Sequence, residues 1–363
     1  MLFFINLKAF LLRGLAKKKP VDFQLIDAKS VLFLRYDRIG DMVITTPVFR
    51  ELKRSIPNIN IIVLASSINR DVILNNPFID EVIINNKNNF FGDFISLLKL
   101  RIRKLDVCIE LDHSVVPHAI LRLRIINPKK IISVAKNGRY GVHGNELSMY
   151  DYYTSKPDNT HFRDIWLLTL QPFGISPISS KYDLFPSNLQ KQIASDFLKQ
   201  YDKKFKIGIN IEGAVKGKKI KDVELEEICK GLKKVNINIQ IILLASPEKL
   251  KNVNQLVEKM CLSYVSSTYK TSKILDVAAL IQNLDIIITP DTSISHIASA
   301  LNKPVITVHE KNQNSFQLFA PTSSISKTFF SKEKNSLEGY DVQALIDYSS
   351  LLIKKLSNEN NRN

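Results

Sequence analysis

Short runs rich in Ile, Val and Leu alternate with stretches of helical periodicity twice along this chain, and few folds accommodate that order. The first series gives strands at 31–35, 59–65, 81–84, 107–111 and 130–134. Helical stretches fall between them at 41–56, 69–74 and 94–104, with another from residue 115 and one at 160–172. The second series gives strands at 205–211, 237–245, 285–289 and 304–308, and helices at 223–235, 247–260, 272–283 and 293–301. Strands separated by helices build mostly parallel sheets covered on both faces. A length of 363 residues fits two such domains. They share an architecture but no sequence repeat. Residues 174–187 are rich in Ser, Pro and Gly and read as the linker. The expected domains are 23–175 and 201–335, joined by 176–200. A helix and a polar tail follow at 336–363.

Charge narrows the partners. The chain carries 51 Lys and Arg against 35 Asp and Glu, a net +16. That excess suits nucleic acid, an anionic membrane surface or a phosphorylated substrate. Zinc-finger spacing, an RNP-type motif and an Arg-rich tract are all missing, so no nucleic-acid partner is expected. The scattered Cys108, Cys229 and Cys261 argue for a reducing compartment and against a zinc site. Residues 1–22 mix Leu2, Phe3, Ile5, Phe10, Leu11, Leu12 and Leu15 with Lys8, Arg13, Lys17, Lys18 and Lys19. They lack a small-residue cleavage site, and the basic cluster follows the apolar part. The segment reads as an interfacial helix on an anionic leaflet or as a helix packed on the protein body.

Three stretches could carry chemistry. RYDRIGDMVITTPVFRELKRSIP (35–57) begins at the carboxyl end of a strand, where open α/β sheets place their sites. Gly40 permits a tight turn, Asp41 stands at the mouth of the next helix, and Thr45 and Thr46 lie in its first turns. Pro47 suggests an early turn or kink. A carboxylate at that mouth can accept a substrate proton, or it can simply cap the helix. EGAVKGKKIKD (212–222) follows another strand. Its Gly213 and Gly217 loosen a loop whose Lys216, Lys218, Lys219 and Lys221 could neutralise a diphosphate or face solvent. It is not a P-loop, because Lys218 is followed by Lys219. DIIITPDTSISHIASALNKPVITVH (285–309) reads as strand, tight turn, helix, strand. The helix N-terminus favours an anion there, with Thr292, Ser293 and Ser295 as donors and His296 one turn in. Asp291 as a mere cap and His296 as a surface histidine remain open. Asp112, His113, His118, His161, Arg163 and Asp164 could line the site. GxGxxG, GxSxG, HExxH and DxD-type metal ligands are not evident, and nothing in the sequence calls for a metal.

DRIGDMVITTP, NNPFIDEVI, GAVKGKK and PDTSISHIASALNKPVI, in this order and spacing, resemble glycosyltransferase family 9, the ADP-heptose:lipopolysaccharide heptosyltransferases. The resemblance implies a GT-B fold, two Rossmann-like domains with parallel sheets facing across a cleft. It implies that the first domain binds the acceptor and the second the sugar nucleotide. Asp41 matches the family's catalytic base, and Arg38, Gly40, Thr45, Asp112 and His113 would lie on the acceptor side. Lys218 matches the lysine on the donor phosphates, with Lys216 and Lys219 as rivals. Asp291, Thr292, Ser293 and His296 fall on the donor-site motif. The implied reaction is inverting transfer of a heptose from ADP-heptose, without metal or cofactor, to a phosphorylated lipid A–Kdo core acceptor. It would occur at the inner face of the cytoplasmic membrane of a Gram-negative bacterium. The chain departs from the family at Ser293, usually Gly, and at HEKNQNSFQLFAP (309–321), where Asn312, Asn314 and Phe316 could form a variant pocket. Three alternatives stay open: another sugar nucleotide or glycan acceptor, a nucleotide-binding scaffold without turnover, and a sugar-nucleotide epimerase.

Overall fold

The computed structural model describes residues 2–85, 90–143, 146–213, 218–235 and 237–360. The chain divides into two compact units, Met1–Asp183 and Leu184–Asn363.

The first unit opens with helix α1 (Leu2–Leu15) and strand β1 (Ser30–Leu34). Then come α2 (Ile39–Ser55), β2 (Asn60–Ser66), β3 (Glu81–Asn85), α3 (Phe90–Ile102) and β4 (Val107–Glu110). It closes with α4 (Pro117–Ile126), β5 (Lys130–Val134), β6 (Tyr152–Thr154) and α5 (Phe162–Leu167). The strands form one parallel sheet in the order β3-β2-β1-β4-β5-β6. From β1 the chain winds to β3 on one side, returns at β4 and winds to β6 on the other. The crevice at the carboxyl ends of β1 and β4 is therefore the topological switch point. Val31, Leu32 and Phe33 of β1 are fully buried, as the continuous apolar run of a central parallel strand demands. Phe33 meets Phe49 of α2 edge to face at 4.9 Å, which ties the helix carrying Asp41 to the sheet. Truncating such a buried ring typically costs about 3–5 kcal/mol.

The second unit repeats the plan with α6 (Asn188–Leu198), β7 (Phe205–Asn210), α7 (Asp222–Lys233), β8 (Ile239–Leu244), α8 (Leu250–Met260), β9 (Val265–Ser267) and α9 (Ile274–Gln282). It continues through β10 (Ile286–Pro290), α10 (Ser293–Ala300), β11 (Val305–His309), α11 (Gln313–Phe319), β12 (Ser326–Phe330) and α12 (Val342–Asn360). Its parallel order is β12-β11-β10-β7-β8-β9, which puts the switch point at β7 and β10.

Several expectations change. Pro47 neither ends α2 nor forces a turn, because the helix runs through it to Ser55. Pro47 has no N–H for the Val43 carbonyl, but the Thr46 hydroxyl donates to that oxygen at 2.7 Å. Residues 69–74 hold only a single 3-10 turn, Arg70–Val72. Residues 176–200 are not a featureless linker: α6 lies within them, opened by a Ser187–Gln190 capping box, and packs on α9. Among its described side chains, the N-terminal segment packs on the body through one face. Ala9, Leu12 and Ala16 are buried in the first unit's core, Arg13 pairs with Glu146 at 2.8 Å and Lys18 with Asp151 at 2.5 Å.

Candidate active site

At the first switch point, α2 starts five residues beyond β1, and Asp41 is its third residue. Arg38 is the N-cap but caps with no side-chain bond and is exposed, while Gly40 sits in the first turn. Buried Thr45 donates its hydroxyl to the Asp41 carbonyl at 2.7 Å. Beneath them lies Arg35, which is 2% exposed, with its guanidinium 4.0 Å from the Trp166 ring centre. Arg35 gives Nη1 to Asp37 at 2.8 Å, whereas Asp41 Oδ1 stands 3.6 Å from Nη2. Among the described residues no hydrogen bond reaches the Asp41 carboxylate. Both oxygens thus keep lone pairs for a substrate hydroxyl, and a positive charge lies alongside.

Asp112 and His113 reach the same crevice from the end of β4. His113 packs at a tilt against Phe162, with ring centres 4.9 Å apart. Burial, aided by the Lys156 charge, holds its imidazole below the ordinary value against the opposing pull of Asp41. Burial, then the charges of Glu110 and Asp37, push Asp112 up to about 9, which favours its protonated form. Below it, fully buried Glu110 bonds to Lys136, to Ser133 Oγ at 3.0 Å and to the Asp112 N–H at 3.0 Å. Burial alone would raise Glu110, but Lys136 and these bonds bring it below its usual value. His161 caps α5 by accepting from the Arg163 N–H at 3.0 Å, and Arg163 pairs with Asp164. His118 packs its ring 5.6 Å from Tyr36.

At the second switch point, Asn210 closes β7 and braces the turn after β10. Its amide lies 3.0 Å from Thr289 Oγ1 and 3.2 Å from Thr292 Oγ1. Thr292, not Asp291, is the N-cap of α10, accepting from the Ile294 N–H at 3.2 Å. The Asp291 carboxylate is thereby spared from capping. Its backbone N–H bonds to Val308, and its side chain stands 3.7 Å from His309 Nε2. Thr292 O takes both the Ser295 hydroxyl at 2.7 Å and the Ser295 N–H at 3.1 Å. The Ser293 N–H bonds to no described group and remains a first-turn donor. His296 is 5% exposed, so it is not a surface histidine, and its ring lies 6.5 Å from Phe319. Burial holds the His309 imidazole low despite the nearby Asp291 charge.

The lysine loop is cinched at its base. Ile220 N–H bonds to Ile211 O at 2.9 Å, and a Cβ added to Gly213 would lie 1.7 Å from the Lys218 carbonyl oxygen. Only glycine fits there. Gly213→Ala should therefore displace Lys218 and, if the loop holds the donor phosphates as the resemblance implies, weaken nucleotide binding at least about tenfold, read by titration calorimetry. Lys216 lies outside the described residues. Lys218 pairs with Glu310 at 2.8 Å, and that bond, more than any other influence, lowers the Glu310 carboxyl. Lys219 turns instead to Asp222 at 3.5 Å.

Sequence reasoning passed over Asn210, His309, Glu310, Lys136 and the role of Arg35. The carboxyl-end rule, applied to every strand, would have found the first three. Within 309–321, His309 ends β11, and Asn312 caps α11 by accepting from the Ser315 N–H. Phe316 packs edge-on at 5.2 Å from His309 and 5.1 Å from Phe330, while Asn314 is exposed.

The fold matches solved structures along nearly its whole length. A family 9 glycosyltransferase from Veillonella parvula aligns with a TM-score of 0.74 at 17% identity, covering 93% of this chain and all of that one. The ADP-heptose lipopolysaccharide heptosyltransferase II of E. coli aligns with a TM-score of 0.70 at 16% identity, over 90% and 99% of the two chains. E. coli heptosyltransferase WaaC, solved with ADP, aligns with a TM-score of 0.67 at 18% identity, over 88% and 96%. A Haemophilus influenzae protein whose own glycosyltransferase assignment is provisional is 22% identical over 79% of this chain and 84% of its own length. The architecture is thus that of a GT-B glycosyltransferase. The chain belongs to glycosyltransferase family 9 (heptosyltransferase), whose model matches residues 98–339.

Proposed function

We propose that this glycosyltransferase moves a heptose from ADP-heptose to the inner core of a lipopolysaccharide or lipooligosaccharide, with inversion and without a metal. The Asp41 carboxylate carries the reading: it sits in the first turn of α2 at the switch point, free of hydrogen bonds among the described residues and backed by Arg35. Asp41 takes the proton of the acceptor hydroxyl as that oxygen attacks the anomeric carbon. The bond from that carbon to the diphosphate breaks, and ADP leaves. Lys218 and the N-terminus of α10, through Ser293 N–H, stabilise the charge that grows on the leaving phosphate. Arg38, Gly40, Thr45, Asp112 and His113 shape the acceptor side, with Asp112 as a hydrogen-bond donor. Asp291, Thr292 and His296 organise the donor side, and Ser293 crowds the phosphate more than the usual glycine. WaaC structures with ADP and with ADP-2-deoxy-2-fluoro-heptose support a nucleotide donor of this kind. The acceptor is a lipid A–Kdo glycolipid at the inner face of the cytoplasmic membrane, and the basic surface suits its phosphates.

A second reading keeps the chemistry and changes the donor. Phe316 on His309, beside Asp291, fills part of the 309–321 stretch in which the chain departs from the family pattern. Thermal stabilisation by ADP, UDP, GDP and CMP at matched concentrations separates the two. A ligand present at about 100 times its Kd adds roughly 2.7 kcal/mol to the folded state. A selective shift with ADP, lost in Asp291→Ala, is expected. A selective shift with UDP or GDP would favour the second reading, and no shift with any nucleotide would sink both.

A further inference from the structure

The outward face of α3 is apolar along its whole length. Phe91, Phe94, Ile95, Leu98 and Ile102 are 78, 41, 52, 38 and 78% exposed. Their spacing sets all five on one stripe, opposite buried Leu97 and Leu100. α1 repeats the pattern, with Leu7, Phe10 and Leu11 exposed opposite buried Ala9 and Leu12. α4 packs against both helices and adds exposed Leu121. The three helices bury their inner faces in one core, so these exposed apolar residues lie on the outside of one helical layer, which marks an interaction site.

Charge identifies the occupant. Residues 1–19, 90–104 and 117–130 hold thirteen Lys and Arg and a single acidic residue, Asp93. Asp93 is already tied to Arg122 at 2.9 Å. These helices and their trailing turns thus carry most of the chain's net +16. Lys99 and Arg101 flank the α3 stripe and are exposed, as are Lys17 and Lys19 beyond α1.

We infer that the face formed by α1, α4 and α3 docks on an anionic phospholipid bilayer. The apolar stripes enter the boundary between headgroups and acyl chains, and the long basic side chains reach back to lipid phosphates. At fourteen and thirteen residues, α1 and α3 fall short of the ~20 a span requires, so the contact is interfacial. A second copy of the chain is the poorer occupant, because a two-fold contact would set this strongly basic face against itself. The inference deepens the membrane part of the function proposed above and rests on it for its biological purpose.

The test is co-sedimentation of the full chain with phosphatidylglycerol–phosphatidylcholine vesicles and with phosphatidylcholine vesicles alone. Ile95→Glu/Ile102→Glu and, separately, Phe10→Ser/Leu11→Ser change only exposed side chains. Each pair should weaken partition onto the anionic vesicles about tenfold or more, with partition onto neutral vesicles weak throughout. Ile95→Ser/Ile102→Ser repeats the test without added charge. The thermal shift with nucleotide should stay as in the parent protein. Unchanged vesicle binding in both α3 variants would overturn the inference. So would a dimer in solution that these substitutions dissociate. Loss of the nucleotide shift in the parent protein would count against the proposed function instead and leave the vesicle result standing.

Discussion

Asp41→Asn should lower glycosyl transfer by about 10²- to 10⁴-fold, the usual worth of a positioned general base, while ADP still stabilises the protein as before. The substitution keeps the shape of the side chain but removes its negative charge and, with it, its ability to take a proton. It breaks no hydrogen bond, since none reaches the carboxylate among the described residues. Arg35 retains Asp37 at 2.8 Å, and Thr45 retains the Asp41 carbonyl. Nor does Asp41 cap α2: it lies inside the first turn. Its removal should therefore move stability by no more than about 0.5 kcal/mol. Turnover and nucleotide-induced stabilisation are to be measured on the same preparation. Equal loss of both would contradict the base assignment and point to a structural role.

Lys136→Met should destabilise the first unit by about 3–5 kcal/mol, the usual penalty for stranding a buried charge. Glu110 and Lys136 have side chains only 1% exposed, at the carboxyl ends of neighbouring strands. Lys136 also donates to the Asp112 carbonyl at 2.6 Å, so it fixes the loop that carries Asp112 and His113. Without it, the described partners of Glu110 include the Ser133 hydroxyl, the Asp112 N–H and the Tyr150 hydroxyl at 3.3 Å, all of them neutral. Adding Glu110→Gln should restore most of the loss, because a neutral amide needs no counter-ion. Denaturant unfolding of both variants checks this. A Lys136→Met protein as stable as its parent would mean that Glu110 is protonated in the fold.

The central strands were legible because continuous burial writes an unbroken apolar run, as in Val31–Leu34 and Ile241–Leu244. The edge strands Tyr152–Thr154 and Val265–Ser267 are three residues long and lack that signal, and Ser326–Phe330 is only half buried. α6 was hidden because it buries only Ala194 and Leu198 and leaves Leu189 70% exposed. Pro47 misled because the compensating bond comes from its neighbour Thr46, which no periodicity records. At residues 291 and 292 two good capping types stand side by side, and only coordinates show that Thr292 caps. Asp41 could be singled out from its place after a strand. Its isolation from hydrogen bonds could not, because Arg35 is shared with Asp37 and held by Trp166, more than a hundred residues away.

The most direct test is to incubate the purified protein with ADP-heptose and a Kdo-lipid A acceptor and follow both products by mass spectrometry. The account predicts acceptor heavier by one heptose, with ADP released in equal amount and only when acceptor is present. Turnover of a different sugar nucleotide with ADP-heptose left intact, or ADP-heptose altered without any acceptor, would contradict it.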